Sequence, residues 1–232
     1  MPLLDHFHPP LEGKRSWHAF HNAWATYLAA DLNTRLPQGY FAEPNVQYGI
    51  EIDVATLDEW IVPGGRPNSS WTPPAPSTTI PLAIVTDLVE VSIFASEDGP
   101  FLAGAIELVS PANKDRPANR DAFTSKCAAH LQAGVGLVVV DIVTARGGDL
   151  HGELMARLFA PKVKSVSDLY AAAYHPAGHE GEVRLDIWHE PVALGGSLPV
   201  LPLWLRVGPC LPVDLGATYA RTRRELRMGD GA

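Results

Sequence analysis

Apolar residues along this chain fall into two rhythms. From Trp17 to Leu36 they recur at three- and four-residue steps, through Trp17, Phe20, Trp24, Tyr27, Leu28, Leu32 and Leu36. That spacing gathers them on one helical face. Ser16 supplies an N-cap, and Pro37 and Gly39 end the helix. A second helix is predicted over Asn119–Ala133, with Phe123, Cys127 and Leu131 in one line and Lys126 and His130 sharing another face. Gly134 closes it. A third helix covers Leu215–Met228. The other rhythm is that of strands: Val46–Leu57, Asp87–Ala95, Phe101–Val109, Val135–Val143, Glu182–Trp188 as an outer strand, and Val200–Val207. Asp98-Gly99 lies in the link between the second and third of these and signals a hairpin.

Between these elements the pattern is weaker. Residues 1–16 are Pro-rich and polar and read as an extended arm. Residues 63–81, PGGRPNSSWTPPAPSTTIP, read as a long surface loop in which Trp71 is an anchor. The stretch 149–180 is ambiguous, with a short helix around Asp168–Ala173. The order of helix, strands, hairpin, helix and strand predicts one α/β domain over 1–232, with a mixed central β-sheet flanked by helices and the Pro-rich loop as an insertion. The helix at 119–133 permits a parallel crossover between the strands it joins.

Composition narrows the class. The chain has 232 residues, 46% hydrophobic and 19% charged, which is ordinary for a globular protein. No run approaches the roughly 20 apolar residues of a membrane span, and the N-terminus lacks a signal-peptide pattern. The expectation is a cytoplasmic protein that does not engage membranes. Cys127 and Cys210 form no CxxC and read as reduced thiols. A net charge of −8 disfavours nucleic-acid binding over the whole surface and leaves a local basic cleft as the route to it. The one dense basic cluster, Arg221, Arg223, Arg224 and Arg227, reads as a solvated helix face.

No P-loop, no dinucleotide fingerprint and no GxSxG elbow is present. His175 and His179 have HxxxH spacing, but Pro176 and Gly178 between them forbid a zinc-binding helix. His18 and His21 read as ordinary hydrogen-bonding groups. What remains is Glu107, with Ala105, Ile106, Leu108 and Val109 around it in a strand apolar on both faces. A carboxylate there must meet a cation, a metal or hydrogen-bond donors. Lys114 and Lys126 both follow it in sequence. Asp53 in an earlier strand and Asp141 near the end of a later one complete a constellation. Paired carboxylates bind Mg²⁺ or Mn²⁺ with waters, and a nearby lysine stabilises a developing anion. Asp141 is a further ligand or an orienter of Lys126.

Asp53-Val-Ala, AIELVSPANK, the helix with Lys126 and AGVGLVVVDIV together resemble the PD-(D/E)XK restriction-endonuclease-like superfamily. More narrowly they resemble its Uma-type bacterial branch and a related bacterial family of unknown function with an IEvLSPaNK strand. The opening WHAFHNAWATYLAADLNTRLPQGYFAE and the closing LPLWLRVGPCLPVDLGATYARTRREL extend the resemblance over nearly the whole chain. It implies a restriction-endonuclease-like core, Asp53 and Glu107 as ligands of Mg or Mn, and Lys126 as the catalytic lysine, since Val109 stands where the plain signature has one. The expected activity is that of a metal-dependent nuclease or phosphodiesterase. The alternative is a non-catalytic member that keeps the fold as a binding or assembly module, and a homodimer is open to either.

Overall fold

The computed structural model describes residues 1–12, 16–47, 51–58, 72–81, 101–158, 167–179 and 182–228, with the backbone alone at 45–47, 51–58, 80–81 and 179. Helix α1 spans Trp17–Asn33 and is followed by strands β1 (Tyr40–Gln47), β2 (Glu51–Asp58), β3 (Thr78–Pro81) and β4 (Phe101–Leu108). The short helix α2 (Pro111–Asp115) and helix α3 (Pro117–Gln132) lead to β5 (Gly136–Asp141) and helix α4 (Leu150–Arg157). Strands β6 (Tyr170–His179), β7 (Glu182–Pro191), β8 (Val200–Trp204) and β9 (Cys210–Asp214) precede helix α5 (Leu215–Glu225).

Seven strands form one mixed sheet in the order β1-β2-β4-β5-β6-β7-β3, and β8 and β9 form a separate antiparallel pair. The predicted crossover is present. β4 and β5 run parallel, joined through α2 and α3, while every other neighbouring pair in the large sheet is antiparallel. Ile106, Leu108, Val138 and Val140 on one face pack with Phe20, Trp24 and Leu28 of α1, Leu203 of β8 and Tyr219 of α5. Ala105, Leu137 and Val139 on the other pack with Phe123, Cys127 and Leu131 of α3 and Leu150 and Leu154 of α4. β4 and β5 are therefore covered on both sides, which is why they read as continuous apolar runs.

Several expectations are corrected. The strand expected at Val46–Leu57 is two antiparallel strands, with Val46 opposite Ile52. The loop expected over 63–81 contains β3, whose Thr78 and Thr79 pair with Ile187 and Asp186 of β7. That makes β3, and not β7, the outer strand. The stretch expected to be helical at 168–173 enters β6. Its alanines suit a helix by propensity, but Ala171–Ala173 are buried between β5 and β7, where small side chains let layers approach from both faces. Helix α4 and strand β9 are additions to the expected set. Residues 1–12 are not a free arm, because Leu3, His6 and Leu11 are buried and Leu3 exchanges backbone hydrogen bonds with Gly195 and Gly196. The hairpin through Asp98-Gly99, its strand Asp87–Ala95 and the Trp71 anchor lie outside the described residues; β4 itself is paired with β2 and β5. No helix of the described residues is long and apolar enough to cross a membrane.

Candidate functional site

The phase of β4 is set by a bulge. Thr56 faces Gly104 but Leu57 faces Leu102, so Ala103 is an extra residue on β4. The Arg206 N–H, from the turn after β8, donates to the Ala103 carbonyl at 2.8 Å and holds the bulge. Beyond it the alternation resumes, with Ala105 on the α3 face, Ile106 on the α1 face and Glu107 again toward α3. On parallel β5, Val139 lies beside Glu107, and Asp141 follows two residues on. Both carboxylates thus stand near the C-terminal ends of the parallel pair, where ligands of open α/β sheets gather.

Each carboxylate meets its own lysine. After β4, Ser110 turns the chain and Pro111 opens α2 at a position that tolerates proline. The Asn113 side-chain oxygen accepts from the Ser110 N–H at 2.8 Å and from its hydroxyl at 2.9 Å. This locked turn directs Lys114 inward, where its Nζ lies 2.9 Å from Asp141 Oδ2 with neither side chain exposed. The Val143 N–H donates to Asp141 Oδ1 at 3.1 Å. Burial nevertheless pushes the Asp141 carboxyl up to about 6, against Lys114 and this N–H, which both favour the charged form. Asp141, expected as a ligand or an orienter of Lys126, is matched with Lys114 instead.

Lys126 on α3 donates from Nζ to Glu107 Oε2 at 2.7 Å. Glu107 is 1% exposed, whereas the Lys126 side chain is 17% exposed and reaches out past the Phe123 ring. One turn later, His130 Nε2 lies 4.0 Å from Glu107 Oε1. The helix end is fixed by a pair of backbone bonds, Gly134 N–H to Leu131 O and Val135 N–H to His130 O, both 3.0 Å, with Gly134 at φ 79°. Burial, helped by the Lys126 charge, lowers His130 to about 4, so its ring is neutral near pH 7. His130 was legible only as a residue sharing a helix face with Lys126; its approach to Glu107 depends on the register of α3 over β4.

Asp53 belongs to β2. Val54 lies opposite Ile106 and Ala55 opposite Ala105. Asp53 precedes Val54 on β2, and Glu107 follows Ile106 on β4. Among the described residues, no group of three or more His, Cys, Asp or Glu side chains is placed to hold a metal ion; Asp53 contributes only its backbone to that description.

The remaining candidates have other roles. His21 Nε2 lies 2.8 Å from the Leu108 carbonyl and His18 contacts Asn22, ordinary hydrogen bonds as expected. His175 stacks on Trp204. Cys127 is buried in the core, and burial pushes the half-buried Cys210 thiol up to about 12. The arginine cluster is not one solvated face: Arg223 is fully buried and donates to the Pro2 and Met228 carbonyls, while Arg221 lies over the Tyr27 ring. Comparison with protein-family models, with curated proteins and with solved structures yields no match.

Proposed function

We propose that this chain is a metal-dependent phosphodiesterase on a restriction-endonuclease-like core, acting on nucleic acid through a local cleft. The observation that carries the reading is the 2.7 Å contact between Lys126 and Glu107 at the C-terminal end of a central parallel strand. Glu107 and Asp53 are the oxygen ligands, a donor set that suits Mg²⁺ or Mn²⁺. The neighbouring pair Val54 and Ile106 in the β2–β4 register supports the pairing.

Each residue has a physical task. Lys126 meets the buried Glu107 carboxylate with an opposite charge at hydrogen-bond distance, which offsets lost hydration. Its partly exposed ammonium also meets a phosphate oxygen and stabilises the charge that develops there. Water attacks phosphorus, the ester oxygen leaves as an alcohol after taking up a proton, and the chain's contribution is charge and orientation. A divalent ion, when bound, supplies Lewis acidity toward the phosphate and a lower pKa for its water. Lys114 and Asp141 hold the α2 turn against β5 beneath this cluster.

The test is hydrolysis of bis(p-nitrophenyl) phosphate, single-stranded DNA and RNA with Mn²⁺ or Mg²⁺. Lys126→Ala should lower the rate at least ~100-fold and Glu107→Ala should abolish metal binding. Metal-free wild type, or unchanged turnover in both variants, would sink the reading. A second reading, a non-catalytic binding module, is favoured by the neutralisation of both carboxylates by lysines at 2.7 and 2.9 Å. It expects no divalent-metal binding at all.

A further inference from the structure

We infer that His130 is a nitrogen ligand of the metal beside Glu107, so that the site selects a transition ion over Mg²⁺. This rests on the phosphodiesterase reading and specifies its metal.

The geometry divides the labour of Glu107. Oε2 faces Lys126 at 2.7 Å, and Oε1 faces His130 Nε2 at 4.0 Å. The second distance is too long for a hydrogen bond. It is just under twice a metal–donor bond, which runs about 2.0–2.2 Å for imidazole nitrogen or carboxylate oxygen on zinc. His130 is 5% exposed, and its Nε2 is buried with no hydrogen-bond partner among the described residues. Leaving such a group unsatisfied is costly, and native structures seldom do so without a reason.

The imidazole is also held in place. His130 is the third residue from the end of α3, and its carbonyl accepts the Val135 N–H that closes the helix. Lys126, one turn earlier, fixes the same helix face to the same carboxylate. An N,O donor pair has a chemical consequence. Mg²⁺ takes oxygen ligands and keeps several waters, whereas imidazole favours first-row transition ions, with affinity rising from Mn²⁺ through Co²⁺.

The experiment titrates Mg²⁺, Mn²⁺ and Co²⁺ by calorimetry into wild type, Glu107→Ala and His130→Gln, and records electron spin echo modulation of the Mn²⁺ complex. The expected result is Mn²⁺ and Co²⁺ affinities at least ~10-fold above Mg²⁺ in wild type, with ¹⁴N modulation from a directly bound ring. His130→Gln loses that margin and the modulation while Mg²⁺ affinity stays within a few-fold. Equal affinities without ¹⁴N modulation, with binding lost in Glu107→Ala, would overturn the His130 assignment and leave the phosphodiesterase reading standing. Modulation that survives in His130→Gln overturns the assignment too. No binding of any of the three ions overturns both. Where the His130 variant does not fold, His130→Asn takes its place, and a wild-type spectrum without ¹⁴N modulation overturns the assignment with no variant.

Discussion

Asp141 and Lys114 show how much a single residue can depend on one partner. Both side chains are excluded from solvent and stand 2.9 Å apart. Removing one member of a buried pair leaves the other charge stranded, at a cost of about 3–5 kcal/mol. Lys114→Met should therefore destabilise the fold by that order in urea unfolding. The double variant Lys114→Met/Asp141→Leu should recover most of the loss, because it removes both desolvation penalties. Additive losses would mean that the two side chains do not interact. The same residues mark the limit of reading the sequence at this scale. Glu107 was legible because a carboxylate in an apolar strand is conspicuous. Which lysine serves it was not, because Lys114 and Lys126 lie on successive helices of one crossover, and only the folded register resolves which of them faces Glu107.

At the scale of elements, strong periodicity was readable and weak periodicity was not. Helix α1 buries Phe20, Trp24, Leu28 and Leu32, all on the predicted face. β5 was evident from its unbroken apolar run. β6 was not, because its Ala-rich start favours helix locally and only packing between β5 and β7 overrides it. β9 carries Pro212, and β3 follows a Pro-rich tract and ends in Pro81; both are recognisable only through their partners. The bulge at Ala103 is equally silent in sequence, yet it fixes the face on which Glu107 stands.

Gly136 gives this level its test. A Cβ there would lie 3.0 Å from the Trp204 carbonyl carbon and nearer still to its oxygen, so the β8 backbone leaves room for glycine alone. Gly136→Ala should push β8 from the sheet and cost upward of ~2 kcal/mol. Hydrogen exchange should show faster exchange at Leu205 and Arg206, and with the Arg206–Ala103 bond loosened, the proposed metal site at Glu107 should bind more weakly. Unchanged exchange at those amides would show that the close approach carries no strain.

For the whole molecule, acid stability follows from three buried histidines, His130 of the candidate site, lowered to about 4 by burial and the Lys126 charge, and two others. His6 contacts the Tyr219 hydroxyl beneath the N-terminal segment, and burial, with the Arg223 charge, lowers it to about 4 against a weaker opposing pull from Asp5. His151 on α4 contacts the Tyr174 hydroxyl, and burial, with His189, lowers it to about 4 against Asp149. In all three cases the unfolded chain, near 6.5, binds the proton more readily. Their contribution to stability is therefore complete above pH 6.5 and is lost as pH falls toward 4. Each accounts for roughly 3 kcal/mol. Asp141 acts with the opposite sign: raised to about 6 from 3.8, it takes up its proton earlier in the fold, so acidification through that window offsets about one histidine. With three such histidines and one offset by Asp141, the net expectation for the metal-free protein is a loss of roughly 6–7 kcal/mol between pH 6.5 and 4, visible in urea midpoints taken at half-unit steps. His151→Gln should flatten the profile by about one proton, and a profile equally steep in that variant would show that His151 is not held neutral by the fold.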